Sequence, residues 1–280
     1  MFGKLLKHEF IATRRLVPMI WLATAVMAAI NILSSQIDIG WLGGTSMVFL
    51  ILLAVGQVVV TYAVVVTRYY RSLYSNEGYL THTLPVKASQ LLGSKLMTSF
   101  IWLILSYIIA FAVFVVIIQY FAQQQGISLI EVYRNLQATM GFENSHAIVA
   151  AVIIILFLFY SLTFQLSQLF FAMSFGSLSR FHKLSLAAPI LSYLAINFLL
   201  EMLTMVAMLF VPLSIEIKLN ASGIPDSGLK IVGQGMHVLL KNPQEERVLI
   251  GLGGLVLTLF AICGLLWGCH RLIKSHTSLR

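Results

Sequence analysis

Hydrophobic residues fill this chain in long stretches broken by short polar connectors. They show neither the alternation of a half-buried strand nor the single stripe of a soluble amphipathic helix. Six stretches reach the roughly 20 residues that a helix needs to cross a hydrocarbon core of about 30 Å. They cover about residues 16–36, 46–67, 97–122, 147–175, 187–212 and 248–269. Backbone exposed to lipid must satisfy its own hydrogen bonds, so each stretch is predicted to be a transmembrane helix. The predicted fold class is an all-α integral membrane protein, a single transmembrane domain over residues 1–280.

Shorter elements lie between and before the spans. In MFGKLLKHEFIATRR, Phe2, Leu5, Leu6, Phe10 and Ile11 fall at near-helical spacing with Lys4, Lys7, His8, Arg14 and Arg15 around them. That pattern predicts an interfacial amphipathic helix over residues 1–15, although a simple basic flank that orients the first span explains the same charges. SLIEVYRNLQATM, within the connector of about residues 123–146, has enough helix formers for a short helix. The connector of about residues 213–247 carries Gly223, Pro225, Gly228, Gly233, Gly235 and Pro243, which predict an irregular cap with one short helix near Leu229 to Leu240. Pro18, Pro189 and Pro212 sit near span ends, where proline does least harm.

Composition supports the same class: 59% of the 280 residues are hydrophobic and 10% charged, against about 25% charged in a soluble domain. Placing the N-terminus inside puts 13 of the 18 Lys and Arg residues on the inner side, giving +11 there and −2 outside. This is the positive-inside pattern, so N-in and C-in is the expected topology. It also accounts for the basic balance without nucleic acid. The first run is too long for a signal-peptide core and is expected to be retained. Cys263 and Cys269 lie six residues apart on one predicted helix and face different ways, so no disulfide is expected.

Inside the spans polar chemistry is sparse. Glu201 is the one acid there, and Asn197 lies four residues earlier on the same helical face. Such a pair can line a translocation path, or it can bond a neighbouring helix or sit near hydrated headgroups. Ser161, Thr163, Gln165 and Gln168 form a polar stripe that serves equally as path or as interhelical bonding. Gly264 and Gly268 make a small-xxx-small pair suited to close helix packing. Catalytic and metal-ligand motifs are missing, and so is the G-x-x-x-x-G-K-[ST] loop that cradles nucleotide phosphates. No enzymatic site, metal or bound cofactor is expected in this chain.

The densest connector lies between the second and third spans, RYYRSLYSNEGYLTHTLPVKASQLLGSK from Arg68 to Lys95. Tyr69 to Tyr74 extends the second helix, Glu77-Gly78 interrupts it and Leu84-Pro85 marks a turn. A new helix is expected from Lys87 or Ala88, with Ser89 or Ser94 as its cap. SNEGYLTHTLPVKASQLLGSKL resembles the cytoplasmic segment of ABC-2-type transporter permeases of Gram-positive bacteria, and FGKLLKHEF leading into the first span is also similar to that family. These motifs cover about 30 residues.

The resemblance implies a six-helix permease subunit of an ATP-driven exporter in the bacterial cell membrane. It implies a second permease copy or a paralogue as partner, and separate ATPase subunits that hold the ATP and Mg. It also implies that Glu77, Gly78, Tyr79, Leu80, His82, Leu84 and Pro85 form a coupling helix docking those ATPases. Gln165, Gln168, Asn197 and Glu201 are the candidate path residues. The substrate class compatible with the apolar spans is an amphipathic or hydrophobic peptide, antimicrobial peptides included, a drug or a lipid-like molecule. Two other readings remain open on the residues alone: a membrane assembly protein using the same connector, and a secondary transporter with Asn197 and Glu201 as its polar core.

Overall fold

The computed structural model describes residues 2–37, 40–75, 78, 86–140, 144–178, 181, 187–218, 230–236, 238 and 247–275. Six helices in it are long and apolar enough to cross a membrane, which makes the chain a multi-pass membrane protein. The described residues pack as two compact units, Met1–Leu166 and Ser167–Ser278.

In the first unit α1 (Phe2–Thr13) leads through a tight turn into α2 (Val17–Ile37), and α3 (Gly40–Tyr74) follows almost at once. GWLGG, which lies between the first two predicted spans, is therefore the start of α3. α4 (Ala88–Gln124) and a short α5 (Leu129–Met140) come next, then α6 (Asn144–Gly176), which runs from this unit into the second. α2 packs on α3, α3 on α4, and α1 lies against α4. Their core holds Leu50, Val65, Tyr69, Leu73 and Leu103.

α4 starts at Ala88 as expected, but neither serine caps it. Lys87 is the N-cap and offers no side-chain bond, while Ser94 lies inside the helix and donates to the Leu91 carbonyl at 2.9 Å. α5 begins with a reciprocal box: Ser128 N–H donates to Glu131 Oε2 at 2.7 Å, and Glu131 N–H donates to Ser128 Oγ at 3.3 Å. Those bonds hold the Glu131 carboxyl below the usual carboxylate range, first through the Ser128 backbone N–H and then through its hydroxyl.

The second unit corrects two expectations. A three-stranded antiparallel sheet, in the order β2-β1-β3, forms from β1 (Ser214–Lys218), β2 (Lys230–Val232) and β3 (Arg247–Gly251). The helix expected near Leu229 to Leu240 thus gives way at its start to a strand, since Ile231 pairs with Ile215. The sixth span, expected from Val248, begins at Gly253 as α8 (Gly253–Ser275), because Val248, Leu249 and Ile250 pair with Ile217, Glu216 and Ile215. Short runs of β-branched residues are ambiguous between strand and helix until a partner strand exists.

α8 packs against α7 (Ala187–Phe210). The approach to α7 depends on glycine: a Cβ on Gly253, the first residue of α8, would lie 2.1 Å from the Ala207 carbonyl oxygen, and one on Gly251, the last residue of β3, 2.1 Å from that of Met208. The pair singled out in the sequence divides. A Cβ on Gly268 would meet the Phe171 ring at 2.6 Å, whereas Gly264 has open space around it. Both cysteines are free.

Candidate functional site

Three polar nodes bind α1, α2, α3 and α4 at three levels of the first unit. On α3 they are marked by Ser46, Gln57 and Arg68, eleven residues apart. Eleven residues is close to three helical turns, so all three point the same way at intervals of about 16 Å.

The node nearest the 75–87 connector is a charge clamp. Glu9 of α1 accepts from Lys95 of α4 at 2.6 Å through Oε1 and from Arg68 of α3 at 3.2 Å through Oε2. Lys95 also donates to the Ser72 hydroxyl of α3. Side-chain exposure is 3% for Lys95, 14% for Glu9 and 29% for Arg68, so the ammonium is the group most dependent on its partners. Why α1 presents an acid here follows from its wheel. Leu6, Glu9, Phe10 and Thr13 share the face turned to α4, and Lys4, Lys7, His8 and Ile11 share the exposed one. The apolar side of this helix, expected to lie in the membrane interface, is thus taken up in large part by protein.

Tryptophans join the clamp to the middle node. Thr13 donates to the Glu9 carbonyl at 2.9 Å and accepts from Trp102 Nε1 at 2.7 Å. Trp102 lies against Phe10 and Trp21, with ring centroids 5.6 and 5.4 Å apart. Trp21 Nε1 then donates to Ser106 Oγ at 3.0 Å, and that hydroxyl lies 2.8 Å from Thr61 Oγ1. Gln57 Nε2 reaches the Ser106 carbonyl at 3.4 Å, while its buried Oε1 meets no donor among the described residues. At the far end Asn31 donates to Ser46 at 2.9 Å, and Ser46 donates to the Gly43 carbonyl at 3.0 Å.

Cavities help to separate binding from support. The space beside the clamp, between Thr13, Arg68, Tyr69, Lys95 and Trp102, is about 10 Å³, room for no more than about one water. Among the described residues the clamp joins three helices with almost no free space beside it. A groove of about 410 Å³ between α3 and α4 is lined by Val55, Val59, Ala110, Phe114 and Ile117 among others. Its size falls in the ligand range, yet it has no polar group to fix orientation.

Of the expected docking residues, Gly78 is described; it is buried, and its N–H donates to the Ser75 carbonyl at 2.7 Å. Glu77, Tyr79, Leu80, His82, Leu84 and Pro85 lie outside the described residues. Asn197 donates to Glu201 at 3.0 Å on an exposed face of α7. Gln165 is exposed and accepts from Tyr62, while Gln168 is buried. The four candidate path residues line neither of these cavities. No cluster able to hold a metal occurs among the described residues. Glu9 was missed in the sequence because it reads there as one acid in a basic flank. Its signal was its place amid the apolar face of α1. Compared with protein-family models, with curated proteins and with solved structures, the chain matches none.

Proposed function

We propose that this chain is the transmembrane permease subunit of an ATP-driven ABC exporter, moving an amphipathic or hydrophobic substrate outward with energy from separate ATPase subunits. One observation carries the reading most: residues 75–87 link the ends of two packed helices, α3 and α4, of 35 and 37 residues. At 1.5 Å per residue these are rods of about 52 and 55 Å, well beyond a hydrocarbon core of about 30 Å. A push at that link displaces the whole pair, and the clamp carries the displacement into α1 and thence to α2. Packed helices respond to a push as rigid bodies, so a small movement at one end changes access at the other.

The sequence supplies no phosphate-binding loop, which is consistent with energy arriving from another chain. In this reading Glu77 to Pro85 forms the coupling helix, and the membrane is the bacterial cytoplasmic one, with connector and both termini inside. Mild-detergent purification should recover a P-loop ATPase with the wild-type chain and lose it with Glu77→Arg or Leu84→Asp. Recovery of no ATPase under conditions that preserve the complex, or transport that persists without ATP and collapses with the proton gradient, sinks the proposal.

A further inference from the structure

The clamp has a consequence for the opposite side of α1. Glu9 is the only acid in the first fifteen residues, and it is turned inward onto Lys95 and Arg68. What α1 presents outward is therefore cationic: Lys4, Lys7 and His8 are exposed, and so are Arg14 and Arg15 in the turn that follows. Ile11, 44% exposed, lies among them. The turn ends at exposed Leu16 and opens directly onto α2, whose Met19 and Leu22 are exposed apolar side chains at the start of a candidate span. Arg14 and Arg15 thus sit where hydrocarbon gives way to headgroups, and Lys4 and Lys7 continue the same face along α1.

We propose that this face, Lys4, Lys7, Arg14 and Arg15 around Ile11, binds the phosphate-bearing headgroups of anionic phospholipids in the leaflet that α1 borders. The positive-inside bias acts while the chain inserts and requires no lipid selectivity afterwards. Here selectivity persists in the folded protein, because packing turns the one carboxylate of α1 onto Lys95 and Arg68 and leaves an apolar side chain to enter the acyl boundary. Each cation near an anionic surface corresponds to about a fivefold preference, reduced by salt. The inference stands without any ATPase.

The test uses the full chain in phosphatidylcholine nanodiscs with spin-labelled phosphatidylglycerol or phosphatidylcholine as tracer. The wild type should favour phosphatidylglycerol by roughly fivefold or more at low salt. Joint Lys4→Gln, Lys7→Gln, Arg14→Gln and Arg15→Gln should cut that preference several-fold, while Lys4→Arg with Lys7→Arg keeps it. A solvatochromic dye on Ile11→Cys, with Cys263→Ser and Cys269→Ala, locates the effect. Its emission should shift to the blue when phosphatidylglycerol replaces phosphatidylcholine, and the four glutamines should abolish the shift. An unchanged lipid preference in a four-glutamine variant with wild-type thermal unfolding overturns the proposal. So does displacement of the lipid by millimolar inorganic phosphate, which would mark a free-anion site.

Discussion

The helices of the first unit are joined by polar side chains, and α7 and α8 of the second by the absence of side chains. In lipid there is no hydrophobic gain from bringing two apolar helices together, so contact must come from hydrogen bonds or from close backbone approach. Across α1, α2, α3 and α4 the chain uses Glu9 with Lys95, Ser106 with Trp21 and Thr61, and Asn31 with Ser46. Against α7 it uses Gly253 of α8 on the carbonyl of Ala207, with Gly251 at the end of β3 on that of Met208. The first solution responds to charge and the second to volume.

Removing the clamp's acid should have the largest effect. Glu9→Ala takes the Glu9 carboxylate away from buried Lys95 and from Arg68, and breaking a buried pair by removing one partner costs about 3–5 kcal/mol. Unfolding by steric trapping in bicelles should show that loss, and Glu9→Leu with Lys95→Met should restore much of it. If the single change is neutral, charge does not hold α1 in place. Gly253→Val should come next, at about 1–3 kcal/mol from overpacking, while Gly264→Ala, with open space around it, should leave unfolding unchanged. Equal effects at the two glycines would break the steric side of the comparison.

The middle node offers a finer test. Ser106→Ala removes the acceptor of Trp21 and a partner of Thr61, and interhelical bonds of this kind average about 0.6 kcal/mol, with a maximum near 1.7. Gln57→Met removes a buried carboxamide whose oxygen has no donor among the described residues, so it should be neutral or stabilising. Opposite signs at two neighbouring polar positions would separate bonded nodes from merely polar ones.

The smallest effect is expected outside both sets of contacts, at α5. The Glu131 carboxyl is held low by Ser128, so its contribution is fully present above the unfolded value of about 4.3. It is lost as pH falls through the lower folded value. Amide exchange in the first turn of α5 should accelerate over that acid range, and Ser128→Ala should move the Glu131 titration up toward the ordinary value. A titration unmoved by Ser128→Ala would remove the reciprocal cap.

Much of this architecture was legible one residue at a time. The uncharged runs marked six spans, because hydrocarbon tolerates few charges over a helix long enough to cross it. The helix formers of SLIEVYRNLQATM marked α5, while its Ser128–Glu131 cap emerged with the structure. Glu9, Arg68 and Lys95 were visible too, but as residues of separate basic flanks. Their positions are 59 and 86 residues from the acid, and no local spacing tells that they meet. Gly264 and Gly268 looked equivalent because a pattern of small residues does not say which side has a neighbour.

The sequence by itself determined where the chain is apolar enough to cross a membrane, which connector is dense in cation, Gly and Pro, and that no phosphate-binding loop is present. Those properties belong to composition and local spacing, which transfer to lipid or water residue by residue. Tertiary structure alone decided that one acid joins three helices, that α1 turns its cations outward, and that β3 takes the first residues of the sixth apolar run from a helix. Each depends on a partner distant in sequence, and a buried charge, a glycine contact or a β-pair gains its energy only when that partner arrives.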